Sequence, residues 1–228
     1  MVEIHKRRNT CIINNNFNDK SIIDISFDDK ELNKISRCNH MEYRIKHNII
    51  INIPSNIKSI VFGGWFNMDI QPYLHKSIEM LIFGNNFNQP IDNLPLGLKK
   101  LILGANFNQK VNNLPSGLLM LIFGGSFNQS VDMLPESIET ISLSGGFNQK
   151  VENLPSNIKT VRLLGYKFSK SVDSLPDSVE ILELNPKYGI SINKLPSNLQ
   201  ELIFDKNVFS NLDYERIKKL TNAKIKFV

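Results

Sequence analysis

Residues 87–106 read FNQPIDNLPLGLKKLILGAN, and residues 107–126 read FNQKVNNLPSGLLMLIFGGS. Laid one on the other, they agree at Phe87/Phe107, Asn88/Asn108, Gln89/Gln109, Asn93/Asn113, Leu94/Leu114, Pro95/Pro115, Gly97/Gly117, Leu98/Leu118, Leu101/Leu121, Ile102/Ile122 and Gly104/Gly124. An internal repeat of this length has to be read first, because it decides the whole fold. Leu-Pro recurs at Leu94-Pro95, Leu114-Pro115, Leu134-Pro135, Leu154-Pro155, Leu175-Pro176 and Leu195-Pro196, at spacings of 20, 20, 20, 21 and 20. Phe-Asn recurs in step from Phe66-Asn67 to Phe147-Asn148, with Phe168-Ser169 and Tyr188-Gly189 as degenerate continuations. Ile53-Pro54 and Leu74-His75 take the Leu-Pro place upstream, which makes eight registers.

Each part of the unit has a physical task. In Leu98-Lys99-Lys100-Leu101-Ile102-Leu103, Leu101 and Leu103 alternate with Lys100 and Ile102, the two-residue period of a strand. Gly84, Gly104 and Gly124 end the strand, where a tight turn is expected to need positive φ. Phe returns the chain to the core. Pro cannot donate a ladder hydrogen bond, so it marks the turn before the next strand. One unit offers five or six apolar side chains and cannot fold alone, whereas stacked units share a continuous core, with strands in parallel about 4.8 Å apart. The fold expected is a β-rich repeat solenoid with one parallel strand per repeat of about twenty residues. The recurring Asn67, Asn88, Asn108, Asn128 and Asn148 are expected to form a structural ladder, each side chain bonding backbone of its own or a neighbouring turn.

Leu98-x-x-Leu101-x-Leu103-x-x-Asn106 fits the leucine-rich-repeat signature. The fuller motif, Phe-Asn-Gln-x-Val/Ile-x-Asn-Leu-Pro-x-x-Ile/Leu, resembles the FNIP repeat, a leucine-rich-repeat-like module of social amoebae and of giant viruses that infect protists. The resemblance covers roughly residues 57–204. It implies a curved solenoid and a protein-interaction role. Some members of that family carry an F-box ahead of the repeats and look like substrate receptors of ubiquitin ligases. The family brings no catalytic residues to carry over.

Outside the repeats, residues 1–50 read as an N-terminal cap, 51–209 as the solenoid, and 210–228 as a C-terminal cap of a helix and a final strand. In the first segment, Ile22 to Phe27 alternates like a strand, residues 43–51 suit another, and Asp28 to Arg37 suits a short helix. An F-box there would need a helical bundle, and the segment is richer in Ile and Asn than such a bundle. At the other end, Tyr214 to Leu220 has helical spacing. Ala223 to Val228 then suits a strand with Ile225 and Phe227 inward and Lys224 and Lys226 outward, lysines that would blunt an exposed edge.

Composition narrows the classes of function. The chain has 228 residues, 41% hydrophobic and 21% charged, with 29 Asn and 29 Ile. There is no apolar run of membrane-helix length and no secretion-signal pattern at the start. Two cysteines suit a reducing compartment. The expected setting is cytoplasmic, the host cytoplasm for a viral chain. The net charge of +5 sits at the ends: residues 51–204 hold 12 basic and 12 acidic side chains. Nucleic-acid binding through the basic caps is therefore an alternative, although it would call for a clustered basic face. No nucleophile, base or phosphate loop forms a catalytic constellation. Cys38, His40 and His47 lack a fourth ligand for structural zinc. Asn128-Gln129-Ser130 matches a glycosylation sequon but belongs to the repeat. No enzyme, metal or cofactor is expected.

Function then falls to the outward side of the strands. Two rows face outward: Ser59, Met80, Lys100, Met120, Thr140, Thr160, Ile181, Glu201, and Val61, Ile82, Ile102, Ile122, Ser142, Arg162, Glu183, Ile203. Val61, Met80, Ile82, Lys100, Ile102, Met120 and Ile122 form the candidate partner-binding block. Its apolar members would make a patch of order a few hundred Å², the size at which interaction sites begin. The expected function is a non-enzymatic protein–protein interaction scaffold whose partner is another protein, a host protein included, or a second copy of itself. Competing readings are a face that is β-branched for propensity alone, or one covered by the N-terminal segment. Substrate reception for a ubiquitin ligase is the further alternative.

Overall fold

The computed structural model describes residues 2–7, 10–15, 23–25, 40–44, 49–51, 53, 55–185, 190, 192–204 and 211–228, with side chains from residue 53 onward except at 211–213. The chain begins with β1 (Val2–Arg7), β2 (Thr10–Asn15), β3 (Ile23–Ile25), β4 (His40–Arg44) and β5 (Ile49–Ile51). One strand per repeat follows: β6 (Ser59–Phe62), β7 (Met80–Ile82), β8 (Lys100–Leu103), β9 (Met120–Phe123), β10 (Thr140–Gly145), β11 (Thr160–Gly165), β12 (Ile181–Leu184) and β13 (Glu201–Phe204). The chain closes with α1 (Asn211–Lys218) and β14 (Lys224–Phe227). Twelve strands make one sheet in the order β1-β2-β4-β6-β7-β8-β9-β10-β11-β12-β13-β14, and β3 pairs with β5 in a second, two-stranded sheet. From β2 onward every pairing in the large sheet is parallel; only β1 runs against its neighbour. The architecture is a parallel β-solenoid with about twenty residues per turn.

The strand phase is that of the alternation. Leu101 and Leu103 are buried while Lys100 and Ile102 are half-buried on the other side, and β6, β9, β11, β12 and β13 repeat the pattern. Identical phase in every turn follows from register, since Leu81, Leu101 and Leu121 are direct neighbours across the ladder. A slip of one residue would turn each of them to solvent.

Aromatic rings fill the core in columns. Phe66, Phe87, Phe107, Phe127, Phe147 and Phe168 are all buried. From Phe87 to Phe168, successive rings lie 6.1 Å apart and nearly parallel. Where the strand also ends in Phe, its ring stacks within the turn, as Phe83 on Phe87 at 3.8 Å and Phe123 on Phe127 at 3.7 Å. Stacked rings of this kind bury large apolar areas against one another. The Leu-Pro corner is a turn closed by the Pro carbonyl, which accepts the N–H three residues on: Leu98 from Pro95, Leu118 from Pro115, Ile138 from Pro135.

The strand-ending glycines act for a different reason than the sequence suggested. Among the described glycines only Gly145 has positive φ, at +61°. Gly104 sits instead against the turn before it. A Cβ built there would lie 2.2 Å from the carbonyl oxygen of Gly84. Gly84 and Gly124 meet the same obstacle from Gly63 and Gly104. The glycine column is thus a line of close backbone approach between turns.

Four other expectations are modified or fall elsewhere. Residues 43–51 do not form one strand: β4 ends at Arg44 in the large sheet, and β5 belongs to the small one. The helix expected from Asp28 to Arg37 lies outside the described residues. At the far end α1 starts earlier than the spacing suggested, at Asn211, and buries Ile217 against the core. β14 continues the ladder with Phe227 opposite Phe204, yet Phe227, expected inward, stays 38% exposed.

Candidate interaction surface

The outer face is built by register. Val61, Ile82, Ile102 and Ile122 are successive ladder partners, and so are Ser59, Met80, Lys100 and Met120. All seven residues of the candidate block are half-buried, on four adjacent strands. Over β10 and β11 both rows turn polar: Ile122 is followed by Ser142 and Arg162, and Met120 by Thr140 and Thr160, before Ile181 on β12 and Ile203 on β13.

A third outward row precedes these two, and the strand period does not foretell it. In each turn one carbonyl accepts two successive N–H groups of the next turn. Lys58 accepts Glu79 and Met80, Glu79 accepts Lys99 and Lys100, Lys99 accepts Leu119 and Met120, and Leu119 accepts Glu139 and Thr140. This two-on-one pairing is bulge-like and turns two consecutive side chains away from the core. The added row reads Lys58, Glu79, Lys99, Leu119, Glu139, Lys159, Glu180, Gln200, all but Glu180 exposed. Leu119 is 37% exposed and widens the apolar block beside Met120. The only signal for it in the sequence is a Leu where neighbouring repeats carry Lys or Glu.

The charges of the face are arranged turn against turn. Lys58 pairs with Glu79 at 2.7 Å, Lys159 with Glu180 at 2.9 Å, Arg162 with Glu183 at 3.0 Å and Lys226 with Glu201 at 2.6 Å. The Lys99 ammonium donates to the Gly117 carbonyl. Lys100 differs. It stands between Met80 and Met120 in its row and next to the Ile82–Ile102–Ile122 row. Among the described residues its ammonium has no ion-pair or hydrogen-bond partner. Trp65, the chain's single tryptophan, is 66% exposed in the turn after β6.

Along the rim, the recurring asparagines bond from turn to turn. The Oδ1 of Asn67, Asn88, Asn108 and Asn128 accepts the backbone N–H of Asn88, Asn108, Asn128 and Asn148, at 2.8 to 2.9 Å. Ser169 donates its N–H to Asn148 Oδ1 in the same way. The side-chain amides of Gln89, Gln109, Gln129 and Gln149 donate to the same Oδ1 atoms at 3.2 Å. Each Asn therefore serves the turn after its own. Acidic groups do similar work further round the coil. Partial burial pushes the Asp173 carboxyl up, but donors from Asn193, Lys194 and Ser171 outweigh it and hold it below the usual carboxylate range. The Ser197 backbone N–H and hydroxyl, with Lys194 nearby, lower Asp177.

His75 bonds locally to Ser77 through Nδ1 at 3.1 Å. The side chains of Cys11, Cys38, His40 and His47 lie outside the described set. Among the described residues no cluster of three or more His, Cys, Asp or Glu could hold a metal ion, and no helix is long and apolar enough to cross a membrane.

Comparison with known proteins gives the same architecture. The chain is similar to a giant-virus protein, CroV588, whose crystal structure is described as a novel circular LRR protein structure. The TM-score is 0.65 at 28% identity, covering 99% of this chain and 42% of that one. A search of curated proteins finds no match. The FNIP Repeat family model matches in tandem at residues 71–106, 87–126, 107–146, 147–187 and 168–207. These matches run through more than half of the chain, in register with the Phe columns and the Asn bonds, and the chain belongs to the FNIP-repeat family.

Proposed function

We propose that the chain is a non-enzymatic scaffold that binds a protein partner on the outer face of β6 to β9. The observation that carries this is the contiguous block of Val61, Met80, Ile82, Ile102, Leu119, Met120 and Ile122, half-buried or exposed on four adjacent strands. Parallel stacking holds the block rigid, so a partner docks with little ordering cost. Removing its area from water contributes roughly 25 cal/mol per Å². Met at Met80 and Met120 lets the surface adapt to side chains of different shape.

The test compares the wild-type chain with Ile102→Asp/Ile122→Asp and with Lys76→Glu/Ser116→Asp, two exposed positions on the turns at the Leu-Pro corner. Both variants should melt like the wild type, because all four side chains point away from the core. Quantitative affinity capture, with light scattering for self-association, should lose its partner or its oligomer only in the first variant. Unfolding of that variant would place Ile102 in the core. A folded variant that keeps every association would move the site off this face.

A further inference from the structure

The apolar block contains a charge without a counter-charge. Met80 and Met120 flank Lys100 along its row, and Ile82, Ile102 and Ile122 form the row beside it. The acid on the preceding turn, Glu79, is engaged by Lys58 at 2.7 Å. Glu139 lies two turns on, beyond Leu119. Elsewhere on the face the basic side chains that reach an acid lie within 3.0 Å of it, and Lys99 is held by the Gly117 carbonyl at 3.2 Å. Lys100 therefore keeps all three ammonium donors available, projecting from surroundings that a docked partner would dry.

An ammonium left unpaired in a dried interface is strongly disfavoured, whereas one met by a carboxylate gains a strong charge-assisted hydrogen bond. We infer that the face takes a protein segment whose apolar side chains flank a single Asp or Glu, with that carboxylate on Lys100. The inference rests on the reading of this face as a docking surface and adds the partner's chemistry. A nucleic-acid strand fits less well. It would ask for many cations, and residues 51–204 carry equal numbers of acids and bases. The alternative role for Lys100 is to break up an apolar surface and keep copies apart; that role predicts the opposite response to its removal.

The experiment is selection from a phage-displayed library of random short peptides on the full chain. Chosen peptides are then titrated against the wild type, Lys100→Met, Lys100→Glu and Ile102→Asp/Ile122→Asp. Lys100→Met suits the row of Met80 and Met120, so its melting should not change. The expected peptides are apolar with an Asp or Glu at a constant position. Their affinity should fall about 10- to 100-fold on Lys100→Met, as for loss of a hydrogen bond between charged groups. Changing that acid to Lys should restore binding to Lys100→Glu. Peptides without an acid, or peptides that bind Lys100→Met as well or better, would overturn the inference. If those peptides were still lost on Ile102→Asp/Ile122→Asp, the docking surface itself would stand. Peptides that bind that double variant normally, or a selection that enriches none, would overturn both. Single-stranded DNA binding more tightly than any peptide, and lost on Lys100→Glu, would overturn the peptide in favour of a nucleic acid.

Discussion

Replacing Gly104 by Ala tests whether close approach between turns, rather than turn conformation, fixes the glycine column. The new Cβ would sit 2.2 Å from Gly84 O, 2.4 Å from Gly84 C and 2.8 Å from Asn85 Cα. All three are backbone atoms, so no side chain can swing aside. Ordinary contact begins near 3.4 Å, so the two turns must part by roughly 1 Å, the difference between that distance and the nearest approach. The Asn106 N–H bond to Asn85 O, now 2.8 Å, would stretch beyond hydrogen-bonding range. Overpacking of this kind costs about 1–3 kcal/mol. One or two stretched bonds add about 1 kcal/mol each, for a total of about 2–5 kcal/mol. Gly125 provides the control: its nearest neighbour is Ala105 O at 3.8 Å, and its φ is not in the left-handed range. Ala there should be neutral or stabilising by up to about 1 kcal/mol, through a less disordered unfolded chain. Reversible urea unfolding followed by far-UV circular dichroism measures both. Equal midpoints for the two variants, or a Gly104→Ala variant within about 0.5 kcal/mol of wild type, would refute the account.

Three more predictions concern the stack. Phe127→Ala should cost about 3–5 kcal/mol, since the ring is fully buried against Phe107, Phe123 and Phe147; a urea midpoint near that of wild type would contradict the packing. Asn128→Ala should cost about 0.5–1.5 kcal/mol, because it removes the acceptor of Asn148 N–H and Gln149 at a position that water can reach; an unchanged melt would show that these bonds contribute nothing. The lowered Asp173 carboxyl stabilises the fold at pH values above the ordinary carboxylate range, and that contribution is lost as pH falls through its folded-state value. Asp173→Asn should therefore melt lower than wild type at neutral pH, with the gap closing in acid, and a gap independent of pH would rule out the linkage.

The repeat placed most of the fold within reach of the sequence because each turn restates the same phase. Leu101, Phe107 and Val111 announce their burial by recurring at one position in turn after turn. The outward rows followed from the same alternation. The doubled N–H pairing at the strand entrance did not, since that position takes Lys, Glu or Leu, and a feature of backbone hydrogen bonding leaves no residue type behind. That is why Leu119 was missed. Gly104 shows a second kind of limit: a turn that needs positive φ and a backbone that needs clearance both demand glycine, and only neighbouring turns distinguish them. β1 and β2 were missed for a plainer reason. No repeat motif marks residues 2–15, so there was no register from which to extrapolate.

The Asn bonds between turns have a consequence for how such a chain can change length. Each unit brings the acceptor its successor requires and uses the one its predecessor offers, as Asn108 does between Asn88 and Asn128. A tandem duplication of one unit, in register, would arrive with both sides of this exchange already supplied, along with its Phe ring and its glycine gap. Turns can then be gained or lost by unequal recombination without any compensating substitution. Every copy lengthens the outer face by one strand spacing, about 4.8 Å. The gene thus carries a ruler graduated in twenty-residue steps, by which the span of surface offered to a partner can be adjusted while the chemistry of each step remains the same.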